Sequence, residues 1–211
     1  MDEATKRVFD AVLAVLAMGG GVVAFVKALH EWRESQRWKR SEQLDKLVEK
    51  FESTPLLRLA CTIVDWTTRE VKYDGKEVVI TNRDVLLALR DHTEGSGVRS
   101  FEGQQPLIRD AYDCLLTFLA RLEVAIETRL VDEEPAKTYF AYWLKRFVTM
   151  DKHPRDFRDS DAEVLSEGLG ERTPEEMAAV YVNAYADLAV IRSLCARFGV
   201  PPPSVPARAA S

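Results

Sequence analysis

The sequence predicts a mainly α protein: an N-terminal transmembrane helix that continues into a cytoplasmic helical-bundle domain carrying one small β-hairpin. Three observations predict it. Between Asp10 and Lys27 lie sixteen consecutive residues without a charged or strongly polar side chain. From Leu44 to Phe198, apolar residues recur at helical spacing in successive segments. A single Asp74-Gly75 pair separates two short runs of strand-like residues, which is a strong hairpin signal.

Residues 1–7 form a short tail. The segment from Val8 to Leu29 follows, about 33 Å long as a helix at about 1.5 Å per residue. A bilayer core is about 30 Å thick, so the length suffices. Lys27 is placed to snorkel, and Trp32 and Trp38 stand where an interfacial aromatic belt would. A cleaved signal peptide fits less well, because MDEATKR lacks a basic opening and no A-x-A site follows. A buried core helix is the other alternative. Lys27, Arg33, Arg37, Lys39 and Arg40 outnumber Lys6 and Arg7, which orients the C-terminal domain toward the cytoplasm.

Small residues line one face of this helix. Ala14, Ala17, Gly21, Ala24 and Ala28 follow a 3-4 spacing that Asp10 and Glu31 extend at the two ends. Such a stripe lets helices approach closely in lipid, so a homo-oligomer is expected, a dimer or a tetramer. Gly19, Gly20 and Gly21 weaken the helix and mark a candidate hinge. Residues 30–52 contain no Gly or Pro and continue as a juxtamembrane helix, with Leu44, Leu47, Val48 and Phe51 on one face. Its first half is a basic collar: topology signal and attraction to anionic lipid, or an anion or oligonucleotide contact.

Residues 53–199 make up the cytoplasmic domain. Pro55 opens a helix to about Trp66, with Leu56, Leu59, Ala60, Ile63 and Val64 inward. The hairpin follows. Thr81 to Asp84 reads as a capping box for a helix to about Arg90. Residues 91–105 carry three glycines and read as a mobile loop. From Pro106, an apolar face runs through Leu107, Ile108, Ala111, Leu115, Phe118 and onward to Leu130. An aromatic-rich helix spans Pro135 to Met150, then a polar, acidic stretch covers 151–172. The last helix starts at Thr173 and stops at Gly199, leaving residues 200–211 as a disordered Pro-rich tail.

Composition narrows the function. Hydrophobic residues make up 46% and charged residues 30% of 211, enough for one packed core. A mean hydropathy of −0.19 excludes a polytopic membrane protein. A net charge of −5 opposes bulk electrostatic binding of duplex nucleic acid, though not a local basic pocket. Cys61, Cys114 and Cys195 are odd in number and far apart, which points to reduced thiols rather than a disulfide framework or zinc cluster.

Catalytic patterns are weak. His30, His92 and His153 are isolated, so no metal or other cofactor is expected. Asp91-His92 and Ser96 share a loop that lacks a nucleophile elbow, and no phosphate-cradling glycine motif occurs. Asp110 and Asp113 share a helix face but read as solvated carboxylates. The aromatics of 139–147, interleaved with Lys145 and Arg146, would stack bases or, at helical spacing, fill the core. No enzyme activity is expected.

Several motifs are familiar in their order: Trp38-Lys39-Arg40 with Glu42, Asp65-Trp66 with Arg69, Ile108-Arg109-Asp110 with Asp113, Arg121-Leu122-Glu123, Tyr142-Trp143, then Tyr181, Tyr185 and Phe198-Gly199. Across residues 30–199 the chain resembles a family of small bacterial proteins with one N-terminal membrane helix and a helical cytoplasmic domain. The resemblance implies a single-pass protein of the bacterial inner membrane and no reaction. Within it, Asp65 with Arg69 and Arg109 with Asp113 would form helix-surface ion pairs. Arg40, Arg69 and Arg109 are its candidate ligands for an anion, since guanidinium binds phosphate bidentately. The layout is also similar to the membrane effectors of anti-phage defence. The expected function is therefore a homo-oligomeric effector or pore, gated by a nucleotide or oligonucleotide, with Asp10 and Glu31 at the mouths of the ring. The alternatives are a passive anchor or scaffold for a partner protein, and a membrane-tethered enzyme with an unrecognised site.

Overall fold

A computed structural model describes residues 3–65, 69–89, 101–149, 181–182 and 188–203; within these, the side chains of 4–18, 82 and 188 are not described. The chain divides into two compact units, Met1–Gln43 and Leu44–Ser211. The division falls inside the first helix.

That helix, α1 (Glu3–Ser53), is uninterrupted. It runs through Gly19, Gly20 and Gly21 without a break, and a Cβ added at any of the three would meet nothing within 4 Å among the described residues. In the first unit Val22, Val23, Phe25 and Val26 are exposed, as are Trp32 and Trp38. Among the described residues, no helix is long and apolar enough to cross a membrane. The side chains of residues 4–18, which supply half of the uncharged run, lie outside the described ones. The structure thus carries a helix over residues 8–29, and not its placement in a bilayer.

The second unit is a helical core with one hairpin. The end of α1 belongs to it: Leu44 and Phe51 are buried, and Leu47 and Val48 pack against them. Thr54 forms the corner, its amide and hydroxyl both donating to the Lys50 carbonyl at 3.1 and 2.7 Å. Pro55 then starts α2 (Pro55–Asp65), where a missing N–H costs nothing. Its apolar residues are spaced so that Leu57, Leu59, Ala60, Cys61, Ile63 and Val64 are buried.

Strands β1 (Arg69–Tyr73) and β2 (Lys76–Ile80) pair antiparallel, with Tyr73 opposite Lys76 and Arg69 opposite Ile80. The two turn residues both have positive φ, 49° at Asp74 and 75° at Gly75, as the right-handed strand twist requires. Helix α3 (Asn82–Ala88) opens on the expected capping box. The Thr81 hydroxyl accepts from the Asp84 amide at 3.2 Å, and the Asp84 carboxylate accepts from the Thr81 amide at 2.9 Å.

Helix α4 (Gln105–Glu127) is the centre of the unit, packed against α2, against α3 and against the last helix, α6 (Leu188–Phe198). Ile108, Ala111, Tyr112, Leu115, Leu119 and Leu122 are fully enclosed along its inner face. The expected face ran on to Leu130, but the helix stops at Glu127. Arg129 adopts φ 58°, and the Leu130 amide returns to the Ala125 carbonyl at 2.9 Å. This Schellman closure throws Leu130 outward, 57% exposed, and Val131 takes the buried position instead.

Helix α5 (Glu133–Thr149) begins two residues before Pro135, because a proline is tolerated anywhere in the first turn. Phe140, Leu144, Phe147 and Val148 are buried. Tyr181 and Val182 are helical and buried. Helix α6 closes as a second Schellman motif: Gly199 has φ 67°, and the Val200 amide donates to the Cys195 carbonyl at 2.8 Å. Past that end, Val200 and Pro203 are buried, so the first residues of the expected disordered tail are packed. The expected features at Trp66, Arg90, 91–100, 151–172, 173–180 and 204–211 lie outside the described residues.

Candidate functional site

Helix α4 aims Arg109 into the core, where it is 7% exposed. Its Nη1 donates to the Ala88 carbonyl at 2.6 Å, satisfying the C-terminus of α3. The guanidinium carbon lies 4.2 Å from the Phe101 ring centroid and 5.0 Å from that of Tyr181. The Tyr181 hydroxyl donates to Asp113 Oδ1 at 2.6 Å. Arg109 is therefore a tie between α3, α4 and Tyr181, and Asp113 is engaged from across the core.

The pairing expected between Asp65 and Arg69 along one helix does not arise, because α2 ends at Asp65 and Arg69 opens β1 on the exposed surface. Asp65 is held from α5. The Tyr142 hydroxyl donates to its Oδ1, and Arg146 Nη2 stands 3.5 Å from the same oxygen and 3.2 Å from the Asp65 carbonyl. The bond to Asp65 pushes the Tyr142 phenol above its ordinary value.

A third cluster joins α4 to α6. Glu123 is 4% exposed, and its Oε1 accepts from Ser193 Oγ at 2.5 Å and from Arg197 Nε at 2.9 Å. Arg197 Nη1 also reaches Glu133 Oε2 at 3.2 Å, and the two carboxylates hold its guanidinium above its usual range. Sequence reading had a signal here: Glu123 sits on the inward face with Leu119, Leu122 and Ile126. A carboxylate at such a position demands a partner.

A cavity of about 300 Å³ opens where α1, α2 and α5 meet. Phe51 and Glu52 come from α1, Arg58 and Thr62 from α2, Tyr139 and Trp143 from α5. Phe51 and Trp143 have ring centroids 6.3 Å apart at 49°. Glu52 and Arg58 are exposed, and among the described residues neither takes a side-chain partner. The Thr62 hydroxyl donates to the Arg58 carbonyl at 2.9 Å. The aromatics of α5 therefore divide: Phe140 and Phe147 build the core, while Tyr139 and Tyr142 stay half exposed.

Of the other candidates, Arg40 is half-buried on α1 in the first unit. Gly21, Ala24 and Ala28 are exposed on α1, and the side chains of Asp10, Ala14 and Ala17 lie outside the described residues. Among the described residues no group of three or more His, Cys, Asp or Glu is placed to hold a metal ion. Burial pushes the Cys61 thiol up to about 12 and Cys195 to about 11, which makes both poor nucleophiles at neutral pH. Against known proteins, the chain matches no family model, no curated sequence and no solved structure.

Proposed function

We propose that this chain is a single-pass, membrane-anchored homo-oligomeric effector, whose cytoplasmic domain receives a small ligand and whose membrane helices answer to it. The observation that carries the reading is the sorting of side chains around α1. Val22, Val23, Phe25 and Val26 are 58–70% exposed. At about 100° per residue they fall on one arc of the helix, and Gly21, Ala24 and Ala28 fall on the other. Large apolar groups on one side suit lipid, and small ones on the other suit close helix contact. Asp10, Ala14, Ala17 and Glu31 extend the small face in sequence. The resemblance to small bacterial membrane proteins gives the same layout.

Carbonate extraction is expected to leave the full chain in the membrane pellet, and protease added to intact cells to spare its C-terminal tail. Recovery in the soluble fraction overturns the anchor. Expression is expected to depolarise the membrane and arrest growth once ligand is present, and Asp10→Ala to relieve that arrest without loss of membrane targeting. A pure anchor or scaffold is the second reading. It is favoured by Tyr139 and Tyr142, both 51% exposed on α5, since tyrosines are enriched at protein interfaces. Absence of conductance in planar bilayers, with and without added nucleotides, decides for the scaffold.

A further inference from the structure

We propose that the cavity between α1, α2 and α5 is a nucleotide site, with the base against Phe51, Tyr139 and Trp143 and the phosphate on Arg58. The proposal rests on the reading that the cytoplasmic domain receives a small ligand, and it assigns that ligand a place and a chemistry.

The cavity volume, about 300 Å³, is at the lower end for clefts that enclose small organic ligands. Its walls are aromatic on two of its three helices, and every base presents a face that stacks on such rings. Two charged side chains line it, Arg58 and Glu52, and they do not pair with each other. A purely apolar ligand would leave both unused. A simple aromatic acid would satisfy Arg58 and offer no donor to Glu52. A zwitterionic amino acid carries both its charged groups on one carbon, whereas these two side chains belong to different helices and do not pair. A nucleotide holds a phosphate at one end and N–H donors on the base edge at the other. The guanidinium of Arg58 takes the phosphate in its planar fork, and the carboxylate of Glu52 accepts from the base amino group. Thr62 keeps its hydroxyl on the Arg58 carbonyl, which fixes the turn of α2 that carries the arginine.

The position also suits a receiver. Phe51 is buried near the end of α1, with its ring 5.0 Å from Phe118 of α4 and 5.3 Å from Phe140 of α5. A base stacked in the cavity presses on the same ring that joins α1 to the core of its unit.

The test uses the full chain in lipid nanodiscs, titrated with adenosine and guanosine monophosphates, the matching nucleosides, inorganic phosphate and tryptophan. Binding is read by calorimetry and by quenching of Trp143 fluorescence, with Trp143→Phe assigning the quench. At least one monophosphate is expected to bind saturably, and its nucleoside about 10-fold more weakly, the worth of one charge-assisted contact. Arg58→Gln is expected to erase that difference, and Glu52→Gln to weaken nucleotide and nucleoside alike. Both side chains are exposed, so unchanged thermal unfolding of the variants is the folding control. No saturable nucleotide binding at millimolar concentration, an unchanged affinity in Arg58→Gln, or tighter binding of tryptophan each overturns the site. Nucleotide binding without depolarisation overturns the gating role and leaves the site standing. Nucleotide-dependent depolarisation that Arg58→Gln does not alter overturns the site and leaves the effector.

Discussion

Single atoms in the core carry opposite instructions about stability. Tyr112 is fully buried, and among the described residues its hydroxyl has no hydrogen-bond partner. Burial alone drives its phenol far above the ordinary range. Its ring packs well, 5.3 Å from Phe147 and 6.2 Å from Tyr181, so the cost lies in the oxygen. Tyr112→Phe is expected to stabilise the domain by about 1 kcal/mol, read as a higher urea midpoint at constant slope. Glu123 is the contrasting case, a buried carboxylate whose Arg197 partner is across the core; Arg197→Ala is expected to cost about 3 kcal/mol by stranding that charge.

The buried thiols set an alkaline limit. Cys61 and Cys195 titrate near 9 when exposed, and burial moves them to about 12 and about 11 in the folded chain. Below pH 9 both states hold the proton and stability does not depend on it. Above pH 9 the unfolded thiols ionise while the folded ones stay neutral, so the balance shifts toward unfolding. The loss accumulates up to pH 11 for Cys195 and 12 for Cys61, at about 1.4 kcal/mol per pH unit for each group. Measured in the Tyr112→Phe background, the urea midpoint is expected to fall between pH 9 and 11, and Cys195→Ala to flatten part of that fall.

The elements show why some of this fold is legible in sequence and some is not. The hairpin and the capping box are encoded by adjacent residues. Asp74-Gly75 alone supplies the two positive φ values, and Thr81 with Asp84 closes both cap bonds. The inner face of α4 was equally plain from Ile108 to Ile126, because helical period and burial coincide. Its end was not, since no glycine marks it and Arg129 takes the left-handed conformation unaided. Arg129→Gly is accordingly expected to stabilise by up to about 1 kcal/mol, and Gly199→Ala at the matching position of α6 to destabilise by a similar amount. Opposite shifts in thermal midpoint check the pair. The contacts of Arg109 with Ala88 and Tyr181, and the cavity around Phe51, depend on segments apart in the chain. Arg109, an anion candidate by sequence, therefore lies in the core on the Ala88 carbonyl, and Arg58 has no local pattern that sets it apart from other surface arginines.

At the scale of the whole molecule, the decisive question is what covers the small face of α1. Gly21, Ala24 and Ala28 are exposed, and a Cβ on Gly21 would meet nothing within 4 Å among the described residues. The first carbon of a leucine there therefore meets no described neighbour, and leucine improves helix propensity by several tenths of a kcal/mol. A loss of assembly on Gly21→Leu therefore points to a second helix. If helices associate through this stripe, the added side chain holds backbones apart and breaks the small-residue contact. Gly21→Leu is expected to reach the membrane at normal levels and to migrate as a monomer in mild detergent, where the parent chain migrates as a dimer or tetramer. Val23→Leu places the same leucine side chain on the opposite arc and is expected to leave the assembly unchanged. A Gly21→Leu chain that keeps the parent's oligomeric size shows that α1 does not pack through this face. A ring lined by Asp10 and Glu31 then has no basis, and the scaffold is the function that survives.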